Sequence, residues 1–166
     1  MAKIIVGVMG PGESANEEER RIARELGRRI ALEGWAVLSG GLSVGVMDAV
    51  SRGAGEAGGL VIGVLPTPDR RGASAAIDVP IVTDMGSGRN NINALSSDLV
   101  IACGMSAGTA SEVALALKAG KTVILLKCSD AGLRFFQGLD PGKILPAYDP
   151  AEAVDVAKRI LSSREG

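Results

Sequence analysis

Arg89, Ser106, Gly108, Thr109 and Glu112 have the types and spacing to hold an anion. Gly108 and Thr109 form a small-residue turn. It lies between the apolar run Leu99–Cys103 and a helical pattern over residues 110–119. A strand, a small-residue turn and a helix leave backbone N–H groups pointing outward at the helix start, where the helix dipole also favours negative charge. Arg89, with Asn90 beside it, closes a polar turn over residues 86–90 and brings a guanidinium, a forked donor for phosphate oxygens. Glu112 falls in the first helical turn. Its carboxylate can serve the dipole alone, stabilise a developing cation or activate water. Two more glycine-rich turns, Gly10 with Gly12 and Gly40 and Gly41 with Gly45, each follow an apolar run.

Other chemistries are excluded by residue type. There is no histidine, which removes His-based nucleophilic triads and His-ligated metal sites, and no metal site is expected. The run GVMGPG places its glycines at the wrong offsets for the dinucleotide fingerprint, and GxxxxGK[ST] is absent. Cys103 and Cys128 belong to no CxxC pair, so they read as free thiols of a reducing cytoplasm. Net charge is −1, which offers nucleic acid no electrostatic footprint. No apolar run approaches the ~20 residues that span a bilayer. The N-terminal run MAKIIVGVMG reads as a first strand rather than a cleavable leader. At 166 residues, 46% apolar and 22% charged, the chain is expected to form one domain over residues 1–166.

The positioning elements follow from periodicity. Apolar, β-branched runs at 3–9, 35–39, 60–65, 99–103 and 122–127 predict buried strands, and residues 77–82, containing Pro80, predict an edge strand. Ser14 stands three residues before Glu17, a capping-box spacing that opens a helix with Ile22, Ala23, Leu26 and Ile30 on its apolar stripe and Gly34 at its end. Helices are also predicted over 46–57, 86–97 (with Ile92 and Leu95 as its apolar positions), 110–119 and 151–161. Residues 133–136 read as a short turn of helix or strand, and the Arg-bearing stretch 66–75 as a mobile surface loop. Strand and helix alternate throughout. That pattern predicts an α/β, three-layer Rossmann-like fold with a mainly parallel sheet. Such sheets bind ligands beyond the carboxyl ends of their strands, and all three glycine turns lie at that edge.

GGxxxGxM over residues 40–47, Arg89-Asn90, and GTxxE over residues 108–112 together resemble the Lonely Guy, or SLOG-type, Rossmann superfamily, whose enzymes are often labelled lysine decarboxylases. The resemblance runs from the first strand to about Leu126. Its enzymes release a base from a nucleoside 5′-monophosphate. The run GSGRNNINALSSDLVIA is similar almost residue by residue to the short branch containing the molybdenum cofactor carrier proteins. The chain departs from the enzymes in three stretches. Gly104-Met105-Ser106-Ala107 replaces the proline and glycines of PGGxGTxxE, Asn90 replaces a lysine, and Leu42 replaces a third glycine.

Three functions are weighed on this basis. In the first, the chain binds a phosphorylated small molecule, a molybdenum cofactor or a nucleotide, through Gly10, Gly12, Gly40, Gly41, Gly45, Arg89, Asn90, Ser106, Gly108 and Thr109, and requires no other cofactor. In the second, it is a phosphoribohydrolase with Arg89 and Glu112 as catalytic residues. The third is a structural or regulatory subunit. Lysine decarboxylation is disfavoured, because nothing singles out Lys118, Lys121 or Lys127 to bear a cofactor. The resemblance implies a homodimer or homotetramer, and the small residues Ala110, Ala114, Ala116 and Ala119 are expected to offer a face for it.

Overall fold

Period-two alternation gives each inner strand two apolar faces, and the chain covers both. In the computed structural model, which describes residues 2–163, seven strands form one parallel sheet. They are β1 (Ile5–Met9), β2 (Ala36–Ser39), β3 (Val61–Leu65), β4 (Val79–Val82), β5 (Leu99–Cys103), β6 (Val123–Leu126) and β7 (Ile144–Ala147). Their order is β4-β3-β2-β1-β5-β6-β7, and every pairing is parallel. Helices α1 (Glu17–Leu32), α2 (Gly45–Glu56) and α6 (Pro150–Ser162) cover one face. Val6, Val8, Leu99, Ile101, Ile124 and Leu126 point to it. Helices α3 (Arg89–Ser96), α4 (Ala107–Lys118) and α5 (Asp130–Leu139) cover the other, over Met9, Val100, Ala102, Val123 and Leu125. The expected three-layer α/β arrangement is therefore the observed one. Strand order reverses between β1 and β5, so a crevice opens beyond their carboxyl ends.

Several boundaries differ from the sequence expectation. The N-cap of α1 is Asn16, not Ser14: Asn16 Oδ1 accepts from the Glu19 N–H at 2.8 Å, and Glu19 Oε2 accepts from the Asn16 N–H at 2.9 Å. The chain first makes a turn, in which the Ala15 N–H donates to the Gly12 carbonyl at 3.0 Å, and only then enters the helix. Residues 86–97 divide into a 3₁₀ turn, Gly86–Gly88, and α3. α4 begins at Ala107, three residues before expected, because Ser106 caps it. The short element expected at 133–136 is the full helix α5, and β7 was not anticipated. Pro146 lies within β7 and hides it in the sequence; an edge strand tolerates proline on its unpaired side. Pro80 in β4 sits at the opposite edge, as expected.

The stretch 66–75 is anchored rather than loose. Ser43 N–H donates to the Gly72 carbonyl at 2.8 Å and Ser74 N–H to the Gly41 carbonyl at 2.9 Å, so this segment braces the turn after β2.

The turns after β1 and β2 are held side by side by close packing of the helices that follow them. A Cβ placed on Gly53 of α2 would stand 1.9 Å from the Arg24 carbonyl oxygen of α1, and one on Gly27 would stand 2.1 Å from the Val50 carbonyl oxygen. Neither backbone can yield cheaply. Gly53→Ala is expected to destabilise by about 1–3 kcal/mol in denaturant unfolding. Gly138→Ala, in α5 with nothing near its Cβ position, should be neutral or stabilising by up to about 1 kcal/mol. Equal effects would show that the α1–α2 approach is not a steric limit.

Candidate functional site

Helix α3 turns its polar side inward. Arg89, Asn90 and Asn93 are buried with Ala94, while Leu95 is 53% exposed. Of the two apolar positions expected to face inward, Ile92 is half-buried and packs on the core, whereas Leu95 faces solvent. Burial of three polar side chains is tolerable only with partners, and α4 supplies most of them. Asn93 Nδ2 donates to Glu112 Oε1 at 2.8 Å, and Asn90 Nδ2 donates to Ser111 Oγ at 3.0 Å. Arg89 Nη1 lies 3.6 Å from Glu112 Oε1 and also donates to Asn90 Oδ1. Arg89 Nη2 reaches the Gly40 carbonyl at 3.4 Å. Arg89 Nε and Asn93 Oδ1 are buried and have no hydrogen-bond partner among the described residues.

At the start of α4 the Ser106 hydroxyl caps the Thr109 N–H at 3.2 Å and bonds the Thr109 hydroxyl at 2.9 Å. Ala110 N–H already donates to the Ser106 carbonyl at 2.8 Å. Ala107 and Gly108 therefore keep the unpaired N–H groups of this helix start among the described residues. The free N–H groups lie three residues earlier than an Ala110 start implies.

Arg89, Asn90 and Glu112 share one cavity of about 330 Å³ with the start of α4. It is lined by Gly10, Gly12, Gly40, Arg89, Asn90, Ser106, Gly108, Thr109 and Glu112, nine of the residues expected to form the site. Gly41 and Gly45 are not part of the lining. Gly41, at φ +77°, packs on Leu65 and Gly63; Gly45, at φ +55°, packs on the Pro11 and Gly12 carbonyls. Both shape the turn and leave the contact surface to others. The remaining lining comprises Val8, Met9, Met47, Pro66, Gly86 and Ser87. Asn93 and Ser111, which hold Glu112 and Asn90, were also missed. The signal for Asn93 was present: Arg89, Asn90 and Asn93 sit at i, i+1 and i+4, on one side of a helix. A larger open groove along α1 and α2 takes in Gly45 at the end of the turn after β2 but none of the other residues expected to form the site. Arg24, Arg28 and Arg52 on it pair with carboxylates of the same two helices.

Burial dominates the electrostatics. It raises the Glu112 carboxyl above its ordinary range, against the lowering effects of the Asn93 hydrogen bond and the Arg89 charge. It also lowers the Arg89 guanidinium, against the raising effect of Glu112. Each partner thus feels the loss of water more than the presence of the other. Cys103, on the opposite face of the sheet, is pushed up to about 12 by burial, with Glu19 adding to it, and is a structural thiol.

Residues 3–154 match the profile of the SLOG cluster4 family. An uncharacterized protein of Archaeoglobus fulgidus is 47% identical over 122 residues, 74% of this chain and 79% of that protein. Two solved structures are similar over nearly their whole lengths. The molybdenum cofactor binding protein of the phototrophic bacterium Rippkaea orientalis is 49% identical, with TM-score 0.95, over 97% of this chain and 99% of its own. The molybdenum cofactor carrier protein of Chlamydomonas reinhardtii is 50% identical, with TM-score 0.93, over 97% and 99%.

The raised Glu112 carboxyl fixes the sign of a pH effect. A carboxyl whose folded pKa lies above its unfolded value favours folding fully below the ordinary value of 4.5 and loses that contribution as pH rises through the folded value. Wild type should therefore lose stability relative to Glu112→Gln as pH rises from about 4.5 through the folded value, by ~1.4 kcal/mol for each unit of elevation. Urea unfolding of both proteins across that range checks it. A difference that does not change with pH, or that moves in favour of wild type, would contradict the assignment.

Proposed function

We propose that this chain, which belongs to the SLOG cluster4 family, binds a phosphorylated small molecule of the molybdenum cofactor or nucleotide type. One observation carries the reading. Arg89, whose buried guanidinium keeps an unused Nε donor, lines the same cavity as Gly108, which keeps an unpaired N–H at the start of α4. A buried donor without a partner is expensive, and a phosphate oxygen is the partner that best relieves it. The glycines agree. A Cβ on Gly108 would meet only Ser106 Oγ at 3.8 Å, and one on Gly12 would make ordinary contacts from 3.5 Å. The fold does not need glycine at either position, but a ligand lying against the backbone does.

The similar proteins of Rippkaea orientalis and Chlamydomonas reinhardtii, described as a molybdenum cofactor binding protein and a molybdenum cofactor carrier protein, support a cofactor of that kind. No group of three or more Cys, Asp or Glu side chains able to hold a metal occurs among the described residues. A metal in this ligand would therefore arrive within its own organic frame. In this reading Gly10, Gly12, Gly40, Ser106, Gly108 and Thr109 form the cradle, Arg89 pairs with the phosphate and Asn90 fixes the guanidinium.

A second reading is favoured by Glu112. A carboxyl 6% exposed and raised above its ordinary range, in the same cavity, has the environment of a general acid–base group for N-glycosidic cleavage. Release of free adenine from AMP, abolished in Glu112→Gln, would establish it.

We also propose a cytoplasmic homodimer or homotetramer. Ala116 faces the core, so the small-residue face expected on α4 reduces to Ala114 and Ala119 with the half-buried Ala110. The stronger support is apolar surface elsewhere: Val79, Ile81 and Val82 on β4, with Met85 and Leu95, are each at least 40% exposed. Light scattering at micromolar concentration should give at least twice the monomer mass; a monomer would contradict the assembly.

Binding itself should respond in two separable ways. Arg89→Ala should weaken a phosphorylated ligand about ten-fold or more, as expected for loss of a charge-assisted bond of ~1.5–3 kcal/mol. Gly108→Ala should leave thermal stability equal or higher, since alanine is the better helix former by up to about 1 kcal/mol, yet it should also weaken the ligand. Glu112→Gln should bind as tightly as wild type or tighter, because a carboxylate near a phosphate repels it. Unchanged affinity in both Arg89→Ala and Gly108→Ala would refute the site.

A further inference from the structure

Glu112 puts a carboxyl into a cavity read as receiving an anion. In the lining its one charged neighbour is Arg89, whose Nη1 lies 3.6 Å from Glu112 Oε1. The elements packed on α4 bring no other charge to it. From α3 come Arg89 and the neutral Asn90 and Asn93; β5 and β6 present Val100, Ala102, Val123 and Leu125; and one turn away on α4 itself stand Gly108, Thr109, Leu115 and Ala116. A phosphate that pairs with the guanidinium takes over the sole counter-charge of this carboxylate. It also sets about −1.5 to −2 of charge beside it. Glu112 is buried, so water screens little of that repulsion. A proton on the carboxyl removes it.

Asn93 is the second observation. Its side chain is fully buried, and Nδ2 donates to Glu112 Oε1 at 2.8 Å, while Oδ1 has no hydrogen-bond partner among the described residues. The nearby Ser97 hydroxyl donates to the Asn93 backbone carbonyl and leaves the carboxamide alone. A carboxamide carries a donor and an acceptor on one planar group. In the observed orientation it donates to a carboxylate; turned over about its Cβ–Cγ bond it accepts from a carboxylic acid. Either orientation leaves one amide atom without a partner, so neither is excluded by the other's cost. The idle Oδ1 is the atom that a protonated Glu112 would use.

We propose that a phosphorylated ligand binds here together with a proton taken up by Glu112, and that Asn93 is the positioning residue that serves both charge states of that carboxyl. This rests on the phosphorylated-ligand reading above and adds its regulation by pH. The free site holds cationic Arg89 and anionic Glu112. The dianionic ligand and one proton from solvent convert it to an Arg89–phosphate pair beside a neutral carboxyl that donates to Asn93. Burial already raises Glu112 before any ligand arrives, so the ligand adds to an existing bias. By linkage, the ligand strengthens proton binding by the same factor as the proton strengthens ligand binding.

Calorimetric titration of AMP in two buffers of different ionisation heat, repeated from about pH 5 to about pH 9, counts the protons. AMP ionises alike for every variant, so wild type is read against Glu112→Gln. Wild type should take up more protons, by up to about one per AMP, and its affinity should fall relative to Glu112→Gln by up to about ten-fold for each pH unit through the uptake region. Asn93→Leu keeps the side-chain volume and removes both bonding groups. Its fall in affinity should move to higher pH, because the carboxylate loses a donor. A packing role alone would lower thermal stability and leave that pH unmoved. The comparison with Glu112→Gln holds whether or not Asn93→Leu folds. If AMP binds and Arg89→Ala weakens it, but wild type and Glu112→Gln take up equal protons and keep parallel affinities, the proton coupling is overturned and the phosphate site stands. If the coupling is present and a folded Asn93→Leu leaves its pH unmoved, the role of Asn93 is overturned. If AMP does not bind, or binds Arg89→Ala equally well, the coupling and the phosphate site both fall.

Discussion

Arg89 is 8% exposed, and its guanidinium touches three elements at once: Glu112 on α4, Asn90 on its own helix and the Gly40 carbonyl at the end of β2. Little of it is open to water, so protein groups must supply most of its partners. That requirement explains features that are otherwise odd. It places polar residues on the inner side of α3, a buried carboxylate on α4, and an asparagine, Asn93, behind that carboxylate. It also explains why position 40 has no side chain, since a Cβ there would overlap the guanidinium. Buried ion pairs are poor sources of stability, because desolvation offsets attraction. The directions of the Arg89 and Glu112 shifts say the same here. An arrangement that contributes little to folding and still leaves a donor unused is best understood as prepared for a ligand.

The glycines divide along the same line. Gly10, Gly40, Gly41, Gly45, Gly27 and Gly53 stand where backbone or a packed side chain excludes a Cβ. They set the turns and bring α1 against α2. Gly12 and Gly108 have room for a Cβ and line the cavity. The first group answers to the fold and the second to whatever lies in the crevice. A count of glycine-rich turns merges the two, and only the packing around each residue separates them.

The layered fold was legible in the sequence because its strands are short, β-branched and bounded by glycine, and because strand and helix alternate. β7 was not, since Pro146 interrupts the pattern and its place at the sheet edge is a tertiary fact. The start of α4 was misplaced because Ala107 and Gly108 carry no helical signature; the Ser106 cap, visible only through its bonds to Thr109, decides it. The orientation of α3 was misread for a deeper reason. Periodicity assumes an apolar interior, and here the interior is partly a polar cavity. Arg89, Glu112 and the glycine turns could be found from local spacing. Met47 and Ser87 fell inside those same stretches without a role of their own, and Pro66 could not be found, because the sheet order that brings the end of β3 to the crevice is not written in any short stretch.

A phosphate held between the Arg89 guanidinium and the first N–H groups of α4 would be felt directly by those groups. The most direct measurement is an amide-resolved nuclear magnetic resonance titration of the isotopically labelled protein with a phosphorylated ligand such as AMP. Saturable shifts led by the amides of Ala107 and Gly108 and by the Arg89 Nε–H are expected, with Arg89→Ala erasing them. Shifts confined to another surface, or an unchanged Ala107–Gly108 pair at saturation, would contradict it.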